Sequence, residues 1–209
     1  MSERYDYVKD GAEIYRLSFG TIEAEADLER LPPLMRPVAT RMIHASGQID
    51  LLDDLAFSEG FAAAARTALR AGAPIVCDAQ MVASGIIRSR LHGNEIICHL
   101  GDPRLAELAA RLGTTKTAAA VELWRPVLAG AVVAIGNAPT ALFHLLEVVA
   151  EDPSLKPAAV IGIPVGFVGA AESKRALASN DLGLEYLVVQ GRRGGSAVTS
   201  AAVNALCGG

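Results

Sequence analysis

The stretch "AVVAIGNAPTALFHLLE", residues 131–147, decides the fold. Its first five residues form a continuous apolar run, which is typical of a strand buried on both faces of a parallel sheet. A Gly-Asn turn follows, in which Asn137 can cap a helix, and Pro139 suits the first helical turn. The stretch therefore predicts a strand, a turn and a helix in succession, which is the repeating unit of an α/β sheet.

Four other runs rich in Val and Ile repeat this apolar pattern, with helical patterns between most of them. They are "APIVCDA" (73–79), "NEIICHL" (94–100), "AAVIGIP" (158–164) and "EYLVVQG" (185–191). The alternation predicts a sheet of about five mainly parallel strands between two helical layers. Ligands bind beyond the carboxyl ends of the strands in such sheets. Here those ends are Asp78, 100–102, 136–137, 164–166 and 191–193.

The first 70 residues have helical periodicity instead. Asp10 or Gly11 is expected to open a helix that runs to about Leu28, and a second helix is expected from Val38 to about Ile49. Proline residues in "LPPLMRP" separate the two, because proline disrupts a helix interior. The predicted inward face of the first helix holds Ile14, Leu17, Ser18, Ile22 and Ala26. A third helix is predicted from Glu59 to Arg70, with Ser58 as its N-cap and Gly72 as the residue that ends it. The fold class is therefore a three-layer α/β domain over residues 1–209, with a helical N-terminal arm.

Composition and charge exclude several classes of protein. The formal net charge is −4, whereas nucleic-acid-binding domains normally carry a basic surface. The N-terminus is charged where a signal peptide needs an apolar run, and the apolar stretches are too short to span a bilayer. The three cysteines (Cys77, Cys98 and Cys207) are odd in number and form no C-x-x-C pair, which argues against disulfides and a metal site and favours the cytoplasm.

Two turns have the composition of an anion site. In "GRRGGSAVTS" (191–200), glycines allow a close approach to the backbone, Arg192 and Arg193 supply positive charge, and a helix follows. A flexible turn with solvated arginines explains the pattern equally well. The Asn137 turn is more simply an ordinary strand-to-helix connection. Dinucleotide, Walker and G-x-S-x-G motifs do not occur in the chain.

"RMIHASGQ" (41–48) places Arg41 and His44 one helical turn apart, so both side chains lie on one face. Spacing alone favours a partly buried histidine and a surface arginine. The functional alternative is a pocket in which Arg41 holds a carboxylate and His44 exchanges a proton. Histidine suits that role because an unperturbed imidazole titrates at about pH 6.5.

Seven segments, in order and over nearly the whole chain, resemble the precorrin-8X methylmutases, the corrin-ring isomerases of cobalamin biosynthesis. They are "YDYVKDGAEIYRLSFGTIEAEADL" (5–28), "ATRMIHASGQ" (39–48), "ALRAGAPIVCDAQMVASGI" (68–86), "GNEIICHL" (93–100), "LAGAVVAIGNAPTALFHLLE" (128–147), "VIGIPVGFVGAAESKRAL" (160–177) and "GRRGGSAVTSAAVNAL" (191–206).

The resemblance implies a flavodoxin-like fold and a homodimer that needs no cofactor. It implies transfer of a methyl group from C11 to C12 of a tetrapyrrole-derived polycarboxylate, which gives hydrogenobyrinate. By the same resemblance, His44 is the proton donor and acceptor, and Ser18 and Arg41 contact the substrate. Further expected carboxylate contacts are Lys116, where the family pattern has arginine, and Asn137, Arg192 and Arg193; Arg88 and Arg90 are additional cations that suit a polycarboxylate.

Alternative functions remain at this stage. The substrate expected first is the metal-free ring, and the alternative is the cobalt-containing ring of the early-cobalt pathway. A non-catalytic corrinoid carrier, or a hand-over of product to the next enzyme, would use the same binding residues without requiring His44. A nucleotide or phosphate-sugar enzyme is a third reading, which the absent dinucleotide motif weakens.

Overall fold

The computed structural model describes residues 5–208. Its six strands form one sheet in the order β1-β6-β5-β4-β2-β3. The strands are β1 (Leu55–Phe57), β2 (Ile75–Cys77), β3 (Ile96–Ile97), β4 (Val132–Ile135), β5 (Ala159–Gly162) and β6 (Tyr186–Val189). The extra strand relative to the sequence prediction is β1, which has only three half-buried residues and so shows no resolvable periodicity.

The α-helices of the described residues connect and cover these strands. They are α1 (Gly11–Glu25), α2 (Arg36–Ser46), α3 (Phe61–Arg70), α4 (Gln80–Gly85), α5 (Leu105–Leu112), α6 (Lys116–Glu122), α7 (Arg125–Leu128), α8 (Pro139–Glu151), α9 (Ala170–Ala178) and α10 (Ser196–Cys207). Short 3-10 helices lie at Leu28–Arg30, Ile49–Asp54, Arg88–Arg90 and Pro153–Leu155. None of the helices between residues 5 and 208 has the length and apolar character needed to cross a membrane.

Five of the strands are parallel and have the order β3-β2-β4-β5-β6, while β1 pairs antiparallel with β6. Numbered from β2 onwards, this is the doubly wound order of flavodoxin-like folds, whose switch point lies between β2 and β4. The prediction of a mainly parallel three-layer α/β sheet is therefore confirmed.

Alternate residues of each strand build two separate apolar cores. In β4, Val132 and Ala134 pack with the α2, α3 and α10 side, whereas Val133 and Ile135 pack with the α8 side around buried Trp124. This alternation is the two-residue period of a pleated strand. It explains why the strands have continuous apolar sequences: both faces are covered.

Helix α10 is the central helix of the first core. Every residue from Val198 to Cys207 is buried, because the helix lies between the sheet on one side and α2 on the other. Gly85 of α4 permits a close approach to α10, since a Cβ at this position would collide with Ser200. The predicted N-terminal arm corresponds to α1 and α2; α2 packs against this buried helix, and α1 packs against α2.

Several predicted helix ends need correction. Asp10 caps α1 as expected, its carboxylate accepting from Ala12 N at 2.9 Å. Helix α2 ends at Ser46, before the predicted Ile49, because Gly47 adopts a left-handed conformation with φ of 67°. Ser58 does not cap α3; it bonds to the Glu185 carboxylate instead. Asn137 does not cap α8 either, since Ala138 holds that position and Pro139 follows at the first helical residue.

Candidate functional site

The imidazole of His44 lies in an aromatic cage formed by α1. Its Nδ1 is 2.7 Å from Ser18 Oγ, and the bond is partly buried. The Tyr15 ring stacks on the imidazole with centroids 5.3 Å apart and planes at 29°. Phe19 meets it edge-on, also at 5.3 Å, with planes at 82°. These three contacts fix both the position and the plane of the ring.

The cage arises from helical spacing. Tyr15, Ser18 and Phe19 are three and four residues apart, so they project from one face of α1 towards α2. The inward face is therefore rotated from the predicted one, and the side chains of Ile14 and Leu17 are 46% and 44% exposed. Sequence reasoning missed Tyr15 and Phe19, although the i, i+3, i+4 pattern that continues into Ile22 carried the signal.

Arg41 lies one turn before His44, with its Cζ 5.8 Å from the centroid of the Phe19 ring. Within residues 5–208 its guanidinium makes neither an ion pair nor a hydrogen bond to protein. Burial, together with the nearby charge of Arg90, lowers the pKa of Arg41. A partly buried cation of this kind is suited to an anionic ligand.

A cavity of about 350 Å³ opens beside the imidazole. Arg41, His44 and Met81 line it, together with residues of α10 that begin with Ser196 and Ala197 in the first turn of that helix. The first backbone N–H groups of a helix have no intrahelical partner and favour negative charge. The cavity thus combines an imidazole, a guanidinium and a helix N-terminus.

The turn that precedes α10 is fixed by contacts with Ile163 and Lys174. Gly194 has φ of 152°, and a Cβ there would collide with the carbonyl of Ile163, so glycine is required. Gly195 N donates to the same carbonyl oxygen at 2.9 Å. Fully buried Lys174 donates from Nζ to Arg193 O at 2.6 Å. Burial lowers the pKa of Lys174 to about 8.

The two arginines of this turn have different surroundings. Arg193 pairs with Asp50 at 2.8 Å and with Asp54 at 2.5 Å, so its guanidinium is already engaged by carboxylates of the chain. Arg192 is exposed and lies over the Phe167 ring at 5.3 Å. Of the predicted pair, Arg192 is the one whose charge is available to a ligand.

The turn after β4 is filled by the protein itself. The buried carboxylate of Asp78 accepts from the backbone N–H groups of Gly136, Asn137 and Ala138 at 2.7 to 2.9 Å. Burial raises the pKa of Asp78, and these three bonds oppose the rise. Asn137 exposes its side chain here. The anion expected at this helix N-terminus is thus Asp78.

Lys116 begins α6, which packs with α8 in the layer opposite α2, so the structure does not bring it to the His44 cavity. The cysteine thiols are free, and burial raises their pKa values, that of Cys207 to about 11. Among residues 5–208 no group of three His, Cys, Asp or Glu side chains is arranged to hold a metal.

Comparison with known proteins identifies the family to which the chain is similar. The family model for CbiC precorrin-8X methylmutase matches residues 13–208. A precorrin-8X methylmutase of Sinorhizobium sp is 57% identical over 97% of this chain and 96% of its own. That of Pseudomonas aeruginosa is 55% identical over 96% of this chain and 97% of its own. A cobalt-precorrin-8 methylmutase of Priestia megaterium is 41% identical over 81% of this chain and 75% of its own.

A solved structure agrees with the sequence matches. The precorrin-8X methyl mutase of Thermus thermophilus superposes with a TM-score of 0.85 at 39% identity, over 94% of this chain and 95% of its own. The family model spans both α2, which carries His44, and α10, which lines the same cavity. The chain therefore belongs to the precorrin-8X methylmutase family and is a methylmutase, an isomerase of cobalamin biosynthesis.

Proposed function

We propose that this chain, as one methylmutase domain over residues 1–209, moves a methyl group from C11 to C12 of precorrin-8X to give hydrogenobyrinate, with a proton supplied by His44. The observation that carries the proposal is the caged imidazole: Ser18 and Tyr15 fix its orientation beside a cavity that also contains Arg41. The proposed reaction uses no cofactor.

Ser18 acts on His44 in this proposal, and its hydroxyl explains how one histidine both gives and regains a proton. A hydroxyl can donate and accept, so it can bond to Nδ1 whether or not that nitrogen carries hydrogen. Among residues 5–208, Nε2 has no hydrogen-bond partner in the protein, which leaves it for the substrate. An isomerisation consumes no proton overall, so a proton donated to the ring must return. Retention of hydrogen on Nδ1 makes Nε2 the acceptor for that return.

The remaining groups bind and align the macrocycle. Arg41 and the N-terminus of α10 provide positive potential for substrate carboxylates. The imidazolium form of His44 is the form that donates the proton in this proposal. General acid catalysis of this kind contributes roughly 10²–10⁴-fold. Holding the migrating methyl group near its target carbon contributes a further entropic term.

The metal-free ring is the proposed substrate. The similarity to precorrin-8X methylmutases at 57% and 55% identity, above the 41% to a cobalt-precorrin-8 methylmutase, supports this choice. Assays of the purified protein with precorrin-8X and with cobalt-precorrin-8 test it directly. Faster turnover of the cobalt substrate would reverse the assignment.

A cytoplasmic homodimer, with hand-over of product to the next enzyme, is proposed on the family resemblance. Exposed apolar side chains of α1, the helix that forms the His44 cage, support a partner surface: Ile14, Tyr15 and Leu17 are 46%, 50% and 44% exposed. Light scattering on the purified chain measures the mass. A monomer at working concentration would contradict the dimer.

Replacement of His44 tests the reaction. His44→Ala should lower kcat by about 10²–10⁴-fold, because the proton donor is lost, while hydrogenobyrinate still binds. The absorbance of the corrinoid measures both turnover and binding. His92→Ala is the matched control, since His92 is exposed. A turnover rate of His44→Ala equal to that of the wild type would contradict the role of His44 as proton donor. A wild-type protein that binds hydrogenobyrinate but does not turn over precorrin-8X would be a carrier and not an enzyme.

A further inference from the structure

A second, larger cavity of about 850 Å³ adjoins the His44 cavity. Arg41 lines both, so it stands at their common boundary. The larger cavity lies between α1, α2 and the end of α10, and Arg90 contributes to its wall. A site of about 350 Å³ is near the lower end of the range for small-molecule sites, which run from roughly 300 to 1,000 Å³. A macrocycle with carboxylate side chains needs the additional room.

Charge is unevenly distributed in this larger cavity. Glu29 pairs with Arg36 at 2.8 Å, and Glu23 and Asp27 add negative charge along α1 and the residues that follow it. Arg41 and Arg90 are the remaining cations of the lining, and neither forms an ion pair within residues 5–208.

Two neighbouring guanidinium groups repel each other, and burial adds a desolvation cost. The lowered pKa of Arg41, caused by burial and then by the charge of Arg90, is consistent with both effects. A carboxylate between the two groups would relieve the repulsion and accept charge-assisted hydrogen bonds. An anionic ligand group is therefore favoured at the arginine side of the cavity.

Arg90 is held in place by α10. The side chain of buried Asn204 accepts from Ile87 N at 2.7 Å and donates to Gly85 O at 2.9 Å, which fastens the segment leading to the 3-10 helix Arg88–Arg90. Arg90 itself donates to Asn204 O at 3.4 Å from one guanidinium nitrogen. The other guanidinium N–H groups make no hydrogen bond within residues 5–208. A positioned guanidinium with unused donors is suited to bidentate recognition of a carboxylate.

We propose that Arg90 and Arg41 together clamp one carboxylate of the substrate, so that the macrocycle extends from the His44 cavity into the larger one. This inference rests on the proposed function, because that function supplies a polycarboxylate. It assigns Arg90 a binding role and leaves the proton transfer with His44. The clamp orients the ring relative to the imidazole.

The test compares Arg90→Gln with Arg88→Gln, a matched control on the same 3-10 turn whose side chain is exposed and lines neither cavity. Titration with hydrogenobyrinate, followed by absorbance, should show Kd raised about 10- to 100-fold for Arg90→Gln and less than about twofold for Arg88→Gln. KM for precorrin-8X should rise in parallel, with a smaller change in kcat. The salt dependence of Kd should also become shallower, because one cation is removed.

Arg90→Lys keeps the charge without the planar fork, so it should recover part of the affinity and guard against a folding defect. Wild-type Kd and salt dependence in Arg90→Gln would overturn the clamp, even if the wild type turns over precorrin-8X. Arg90-dependent binding of hydrogenobyrinate without turnover would support the clamp and overturn the proposed function. A wild type that neither binds nor reacts would overturn both.

Discussion

Two strand-to-helix turns at the same edge of the sheet differ in what their helix N-termini can bind. The turn before α8 is closed: buried Asp78 accepts from three consecutive backbone N–H groups. The turn before α10 is fixed by a buried ion of the opposite charge, since Lys174 donates to the carbonyl of Arg193.

A carboxylate in the first turn accepts from the N–H groups at the start of α8. The ammonium in the second donates to a carbonyl, so it uses none of the N–H groups of α10, whose first-turn residues Ser196 and Ala197 line the His44 cavity. Both turns are rigid for the same reason, which is a buried charged hydrogen bond. Only the second can accept a ligand anion. The sign of the charge on the buried residue, negative for Asp78 and positive for Lys174, therefore distinguishes the structural turn from the turn proposed to bind ligand.

The largest expected effect is loss of the closed turn. Asp78→Ala would leave three backbone N–H groups without their acceptor, and we expect a loss of about 3–5 kcal/mol in the free energy of unfolding. Urea denaturation followed by circular dichroism measures it. Asp152→Ala is the control, because Asp152 makes a similar local bond to Ser154 N at 3.0 Å but lies near the surface. It should cost about 1 kcal/mol or less. Equal losses would contradict the distinction.

Lys174, the buried lysine that fixes the turn before α10, should make the free energy of unfolding depend on pH. Its folded pKa of about 8 lies below the value of about 10.4 for an unfolded lysine, so folding disfavours the ammonium form. The contribution of Lys174 to stability is then fully present above about pH 10.4, is lost as the pH falls to about 8, and is constant below. The total change is about 3 kcal/mol.

Lys174→Met removes the titrating group, so the difference in unfolding free energy between wild type and variant should shrink over this interval as the pH falls. Lys156→Met, at an exposed position, should keep the wild-type pH profile. A pH-independent difference between wild type and Lys174→Met would show that Lys174 does not titrate in this range.

The smallest expected effect comes from a substitution that adds a carboxylate to the turn before α10, as Asp78 already does for the turn before α8. Ala197→Asp places a carboxylate in the second residue of α10, on the wall of the His44 cavity, and should raise the Kd of hydrogenobyrinate about tenfold through repulsion. Thr140→Asp makes the same change at the second residue of α8, where Asp78 already occupies the terminus. Ala197→Asp should also gain about 0.3–1 kcal/mol of helix stability. Thr140→Asp should not share this gain, because Asp78 already occupies the α8 terminus and the Thr140 hydroxyl loses its bonds to Thr115 and Thr117. Equal Kd values for the two variants would contradict a ligand-binding role for α10.

Local sequence determined most of the architecture. Val- and Ile-rich runs identified five of the six strands, since strands covered on both faces must be apolar throughout. It did not identify β1, whose three residues are too few for a periodic signal. Helix spacing placed Arg41 and His44 on one face, and the seven segments of family resemblance assigned them a reaction. The spacing of Tyr15 and Phe19 along α1 could have placed both beside His44. They were missed because the predicted inward face of α1 held Ile14 and Leu17 instead.

What the sequence could not determine was which charges meet. Nothing local distinguishes Asn137 from Gly195 as the approach to an anion site, because Asp78 lies 58 residues before Gly136 and Lys174 19 residues before Arg193. The same holds for Arg193, whose guanidinium is taken by Asp50 and Asp54, and for Arg41 and Arg90, which have no such partner within residues 5–208. Periodicity is a property of neighbours along the chain, and it specifies elements and faces. Charge pairing depends on packing between distant segments, so only the tertiary structure decided which turn stays open and which arginines remain available to a ligand.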